Sequence, residues 1–127
     1  MRTTFPVSVP PAGWSALADP TRLAAALPGC RSVEVDGDGT LTVVTDVSVA
    51  SVLGLWAGTV TLLDEDAVRI AGSGAPGEID VTIRANPART TLTVEGEVSG
   101  PLATVGAAVL AAAARRLAET LLANLTT

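Results

Sequence analysis

Apolar and polar residues alternate along most of this chain, and the stretches where they do not mark its helices. In "TFPVSVP", Phe5, Val7 and Val9 share one parity, which predicts a first strand ending at Pro10-Pro11. From residue 31 to residue 99 the period of two persists. Val33 and Val35 open it, and Leu41, Val43, Thr45, Val47 and Val49 continue it on a single face. Trp56, Gly58, Val60 and Leu62 follow, then Val68 and Ile70. Ile79, Val81 and Ile83, and finally Leu92, Val94, Gly96 and Val98, complete the pattern. Turn signals recur every 8 to 14 residues, as consecutive antiparallel strands require. One apolar and one polar face means that the sheet covers something on one side only.

Two regions change the period. Trp14, Leu17 and Ala18 stand at helical spacing ahead of "LADPTRLAAALPGC". In that stretch Asp19 is a good N-cap, and Pro20 suits the first helical position, where its missing N–H costs nothing. Leu23, Ala26 and Leu27 form one stripe before Pro28-Gly29 stops the turn. Helices of two turns do not persist alone in water, so both must lie against the body of the domain. From Pro101 to about Leu125 the spacing is helical again, with Leu102, Val105, Val109, Ala113, Leu117 and Leu121 on one stripe. Pro101 begins it, and Arg115-Arg116 lie in its second half, where cations suit the helix dipole. These elements predict a single α+β domain over residues 1–127. Its sheet would be curved and antiparallel, with six to seven strands wrapped around one long C-terminal helix and two short helices after strand 1.

Composition narrows the chemistry. The 48% apolar fraction consists mostly of 22 alanines, 16 valines and 15 leucines, and Phe5, Trp14 and Trp56 are the only aromatic residues. There is no His, Tyr or Lys, and all 8 cations are Arg. The usual general bases near neutral pH are therefore missing, and acid–base work would fall to carboxylates, Cys30 or an Arg. One cysteine without histidine excludes an internal disulfide and ordinary zinc sites. A net charge of −5 with three aromatics argues against nucleic acid. Met1-Arg2 leads straight into a strand pattern, and the uncharged run Val98 to Ala114 falls short of a spanning helix. A cytoplasmic, non-enzymatic protein is the expectation.

Three motifs offer sharper readings. "GSGAPG", Gly72 to Gly77, matches G-x-G-x-x-G, but a strand pattern follows it where a dinucleotide fingerprint needs a helix. It reads as a glycine-rich hairpin. Asp64-Glu65-Asp66 lacks the alternating oxygen ligands of a calcium loop and reads as a solvated turn. Cys30 has Arg31 beside it, which would favour a thiolate, but no histidine partner exists, so it reads as a small buried hydrophobe. Trp14 and Trp56 serve either as core or as the walls of a cavity. Gly58, Gly72 and Gly96 on or near the inward faces would add strand bends and empty space to such a cavity. Thr45 is the clearly polar residue of inward parity, which suits an apolar ligand with one hydrogen-bonding group.

The order of elements resembles the START-like helix-grip superfamily, and the chain is similar to the family of the carbon monoxide dehydrogenase G subunit. "WSALADPTRLAAALPGC", "GLWAGTVTLLDED", "RIAGSG" and "VEGEVSGPLATVG" carry the likeness, which spans nearly the whole chain, with Gly100, Leu102, Ala103 and Gly106 beginning the last helix. The resemblance implies a cavity between sheet and long helix that holds a hydrophobic small molecule, a respiratory quinone or other lipid. It also implies association with a molybdenum hydroxylase that oxidises carbon monoxide, in membrane recruitment or in carrying the quinone; at most peripheral membrane contact, and no cofactor or metal, is the expectation for this chain. By parity, Trp14, Leu23 and Leu27 would form the lid side of the cavity. Val43, Trp56, Val60, Ile70, Val81 and Val94 would form its sheet wall, with Val105, Val109 and Ala113 on the helix. Two rivals remain: an assembly or membrane-recruitment module acting through outward residues such as Leu55 and Ala57, and a cyclase-like enzyme of this fold.

Overall fold

The computed structural model describes residues 2–6, 19–27, 29–36, 40–49, 52–64, 66–88 and 90–125. Seven strands form one antiparallel sheet: β1 (Arg2–Pro6), β2 (Cys30–Val35), β3 (Leu41–Val49), β4 (Val52–Asp64), β5 (Ala67–Gly74), β6 (Gly77–Ala85) and β7 (Thr91–Ser99). Their order, β1-β7-β6-β5-β4-β3-β2, is a six-strand meander to whose last member the first strand returns. Short polar side chains set its turns. Asp64 Oδ1 accepts from the Asp66 amide at 2.7 Å, and Asn86 Oδ1 accepts from the amides of Thr90 and Thr91 at 2.7 and 2.9 Å. The glycine-rich motif is the hairpin its pattern predicts, with Ala75-Pro76 as the turn between β5 and β6. Val7, Val9, Pro10, Pro11, Trp14, Leu17, Ala18, Pro28 and Glu65 lie outside the described residues.

Helix α1 (Pro20–Ala26) begins as its sequence predicts. Asp19 Oδ1 accepts from the Thr21 and Arg22 amides at 3.0 and 3.3 Å, which satisfies two orphan donors of the first turn. Leu27 caps the other end through its amide to the Leu23 carbonyl, and Gly29 turns the chain at φ +74° into β2. The Gly29 carbonyl accepts from the Asp46 amide at 2.9 Å, so the exit from α1 is fastened to β3. Leu23 and Ala26 face inward and are buried.

The C-terminal segment departs from its predicted form in two ways. First, the helix is not continuous from Pro101: Gly100–Val105 is a 3-10 turn, Gly106 breaks the phase at φ +95°, and α2 runs over Ala107–Leu125. The turn is pinned by the Leu102 amide to the Pro76 carbonyl at 2.9 Å. Second, the buried line on α2 is Ala118 and Leu122, flanked by Ala114 and Leu121. Val109 and Leu117 of the predicted stripe are 43% and 45% exposed. Steps of four residues advance about 40° beyond a full turn each, so an unbroken i+4 row spirals off the buried face. The break at Gly106 resets the phase as well.

The core sits where α1 and the second half of α2 meet one end of the sheet. Phe5, Leu23, Leu41, Val68, Leu92 and Leu122 are its large members. Asn124 Nδ2 donates to the Ala26 carbonyl at 2.9 Å and ties the two helices together. Inward parity holds along β3, whose Leu41, Val43 and Thr45 are buried, and along β6 and β7. Val35 and Leu62 are exceptions at 57% and 39% exposure: β2 is an edge strand whose end has nothing packed over it among the described residues, and Leu62 stands where the β4–β5 register shifts.

Candidate functional site on the concave face

Cross-strand pairing aligns the inward residues in rows. Leu41, Val60, Ile70 and Val81 form one row, which ends at Gly96. Val43, Gly58, Gly72, Ile79 and Val98 form the next, and Thr45, Trp56 and Gly74 the one after. The rows nearest the core are covered. In the centre of the sheet, however, Val60, Ile70 and Ile79 are only half-buried, as are Ile83, in the row of buried Val68 and Val94, and Val98 on β7. Over that region α2 does not close down: Ala107, Ala108 and Val109 are exposed, and Leu110, Ala111 and Ala113 are half-buried. Val60, Ile70, Ile79 and Ile83 pack against the core cluster without being fully covered, so the concave side carries an apolar, partly open stretch, the trough, on its central strands.

Trp56 lies at one end of the trough, and its placement corrects the expected role of the glycines. A Cβ on either Gly58 or Gly72 would fall 2.7 Å from Trp56 Cζ2, and a Cβ on Gly58 would also collide with Cη2. The indole thus lies across the two glycines and occupies the room they leave. Their lack of side chains makes a seat for the ring, not empty space. At Gly96 the space is also taken, because a Cβ there would strike the β6 backbone at Asp80 and Val81.

The ring is 4% exposed, and its Nε1–H has no hydrogen-bond partner among the described residues. The strand position directly opposite on β5 is Gly74, and the diagonal one is Gly72, so no β5 side chain rises to meet the donor. An unmade hydrogen bond in the interior costs about 1–3 kcal/mol. Thr45, the buried polar residue paired with Trp56 on β3, donates from Oγ1 to the Asp46 carbonyl at a long 3.4 Å.

Of the residues expected at the site, Val43, Trp56, Val81 and Val94 are buried on the sheet, while Val60 and Ile70 are half-buried in the trough. Leu23 is 2% exposed within the core cluster, and Leu27 packs against that cluster. Val105 and Ala113 are half-buried, and Val109 points off the buried line of α2. Trp14 is outside the described residues. Pattern reading left out Ile79, Ile83 and Val98 as site residues, although they share the inward parity. Nothing in their spacing tells a covered inward position from an open one.

The remaining chemistry is on the surface. Burial pushes the Cys30 thiol up from its ordinary value, only partly offset by a backbone hydrogen bond from Ser32, and Sγ donates to the Ser32 carbonyl at 3.7 Å. Cys30 packs against the core, which suits filling and not nucleophilic attack. Arg69 grips Asp80 with two bonds of 3.0 and 2.8 Å on the outer face. Two open depressions have mixed linings, one with Ser73, Glu78 and Glu97 beside Ala71, Ile79 and Val98, the other with Arg2, Thr82 and Glu95. No helix of the described residues is long and apolar enough to cross a membrane.

A long antiparallel meander, a returning first strand and a C-terminal helix on the concave side define a helix-grip, START-like protein. Solved structures of that architecture superpose on nearly the whole chain. A conserved protein from Geobacillus kaustophilus is 24% identical with a TM-score of 0.75, over 98% of this chain and 89% of that one. The Zhui aromatase/cyclase from Streptomyces sp. R1128 is 21% identical with a TM-score of 0.61, over 98% and 89%. An AHSA1-like protein from Aeromonas hydrophila is 18% identical with a TM-score of 0.58, over 99% and 92%. At such identities these likenesses establish the fold. Residues 4–127 match the family of the carbon monoxide dehydrogenase G subunit (CoxG), and the chain belongs to it. No curated protein matches the sequence.

Proposed function

We propose that this protein is a non-catalytic carrier that holds a lipid-like molecule, best an isoprenoid quinone, in the concave trough. Its client would be a carbon monoxide dehydrogenase of the molybdenum hydroxylase class, as membership of the CoxG family suggests. The observation that carries the reading is the half-burial of Val60, Ile70 and Ile79 in the centre of the sheet, where a filled core would bury them fully. An isoprene unit of about 100 Å² gains about 2.5 kcal/mol on burial, so a few units offset the cost of association. A non-catalytic role fits the chain's lack of histidine and lysine and the scarcity of buried polar side chains beside the trough.

Native mass spectrometry of the purified protein, before and after organic extraction, checks this. A co-purifying quinone or lipid released by solvent is the expected outcome. Protein that carries nothing and takes up no added quinone would overturn the reading.

A second reading has an observation of its own. Leu53 and Leu55 on the outer face of β4 are 67% and 47% exposed, beside exposed Ala57. In this reading the protein is an assembly or recruitment module and the trough is incidental. Ile79→Trp, which fills the trough, separates the two. Loss of quinone uptake with loss of electron delivery by the dehydrogenase supports the carrier, whereas undiminished delivery supports the module.

A further inference from the structure

We infer that Trp56 Nε1–H is the polar anchor of the concave site, and that it selects a ligand carrying a carbonyl oxygen over a pure hydrocarbon. This rests on the carrier reading and adds to it a residue and a chemical requirement. The indole N–H is a donor only, so whatever satisfies it must accept. It is buried, it is unpartnered among the described residues, and its neighbours on β5 are glycines. Cζ2, two bonds from Nε1, lies over Gly58 and Gly72, and Ile79 stands directly opposite Gly72 on β6. The ring that bears the donor thus packs on the glycines of the row that Ile79 continues, beside Thr45, the buried polar side chain paired with Trp56 on β3.

With Gly58 and Gly72 beneath it, the ring is held by contacts that a side chain at either position would abolish. A preorganised donor favours a partner that brings its own acceptor, because the bond replaces an unmade one. An alkane of equal shape gains the burial but leaves the donor unsatisfied. A quinone ring meets both needs: flat faces for the apolar wall and a carbonyl oxygen for Nε1.

The test uses 1,4-naphthoquinone and naphthalene as a shape-related pair, titrated into the full chain with ¹⁵N-labelled indole groups. Trp14→Phe assigns the two indole resonances. The quinone should move the Trp56 indole proton downfield and naphthalene should not. Trp56→Phe should lower the ratio of quinone to naphthalene affinity by about threefold to tenfold, the usual value of one hydrogen bond. Comparing ratios removes the difference in water solubility between the probes. If both probes bind but the resonance stays in place and the ratio is unchanged, the anchor is wrong and the carrier survives. If neither probe binds, the carrier reading falls, and the anchor with it. Should Trp56→Phe fail to fold, the resonance in the otherwise native protein decides the anchor by itself.

Discussion

At Gly72 a single methyl group would decide whether β4 and β5 can pair. A Cβ there strikes the Ala57 carbonyl and the Gly58 Cα as well as the indole of Trp56, and two of these three are backbone. Backbone cannot rotate away as a flexible side chain can. Gly72→Ala should therefore destabilise the protein by about 1–3 kcal/mol in urea unfolding, with a shift in tryptophan emission as the ring leaves its seat. An unchanged midpoint and spectrum would mean that the ring does not lie where it is placed. The sequence made Trp56, Gly58 and Gly72 visible as inward residues, since parity alone gives that. It did not reveal that one fills the space of the other two, because that depends on a rotamer chosen across a strand pair.

At the scale of elements, α1 and α2 differ in how openly the chain announces them. Asp19-Pro20 and Gly29 bound α1 through contacts within a few residues, so cap and stop were both legible. The buried face of α2 was not. An Ala-rich helix offers little contrast between its faces, and Leu117 and Leu122 are equally plausible inward residues by type. Tertiary packing chose Leu122, which is 5% exposed against 45% for Leu117. Leu122→Ala should accordingly cost about 2–5 kcal/mol, while Leu117→Ala stays within about 0.5 kcal/mol. Thermal unfolding of the two variants side by side checks it, and equal losses would contradict the rotated face. Leu23 in the core also constrains any lid motion of α1, since moving the helix as one piece would unpack that residue.

For the whole molecule, the polar side of the sheet tunes stability against pH. Asp80 sits below the ordinary carboxylate value of 3.8, chiefly because Arg69 donates to it, and Asp64 does too, chiefly through the Asp66 amide with help from Arg84. A carboxyl whose pKa is lower in the folded state stabilises the fold above its unfolded value and loses that contribution as pH falls through the folded one. Stability should therefore be flat from neutral pH down to about 4 and decline below it. Both groups are exposed, so the effect is modest and is screened by salt. Asp80→Asn should flatten the decline between about pH 4 and pH 2 in urea titrations at low ionic strength. A slope identical to that of the unmodified protein would remove the Arg69 pair from the account.

What the sequence determined by itself was everything governed by near neighbours. The period of two fixed which face of each strand is apolar, turn residues fixed where strands end, and Asp19 fixed where α1 begins. The missing histidine and lysine likewise narrowed the chemistry without any knowledge of the fold. What only the tertiary structure decided was everything governed by approach across the fold. Covered Val68 and half-open Ile70 are the same kind of residue at the same parity on one strand. They differ because packing over the sheet buries one end and leaves the centre open. The lone donor of Trp56 has the same origin. Alternation places a tryptophan on the concave face, but only the glycines paired beside it leave its N–H without an acceptor among the described residues, and no local pattern encodes a partner that is not there.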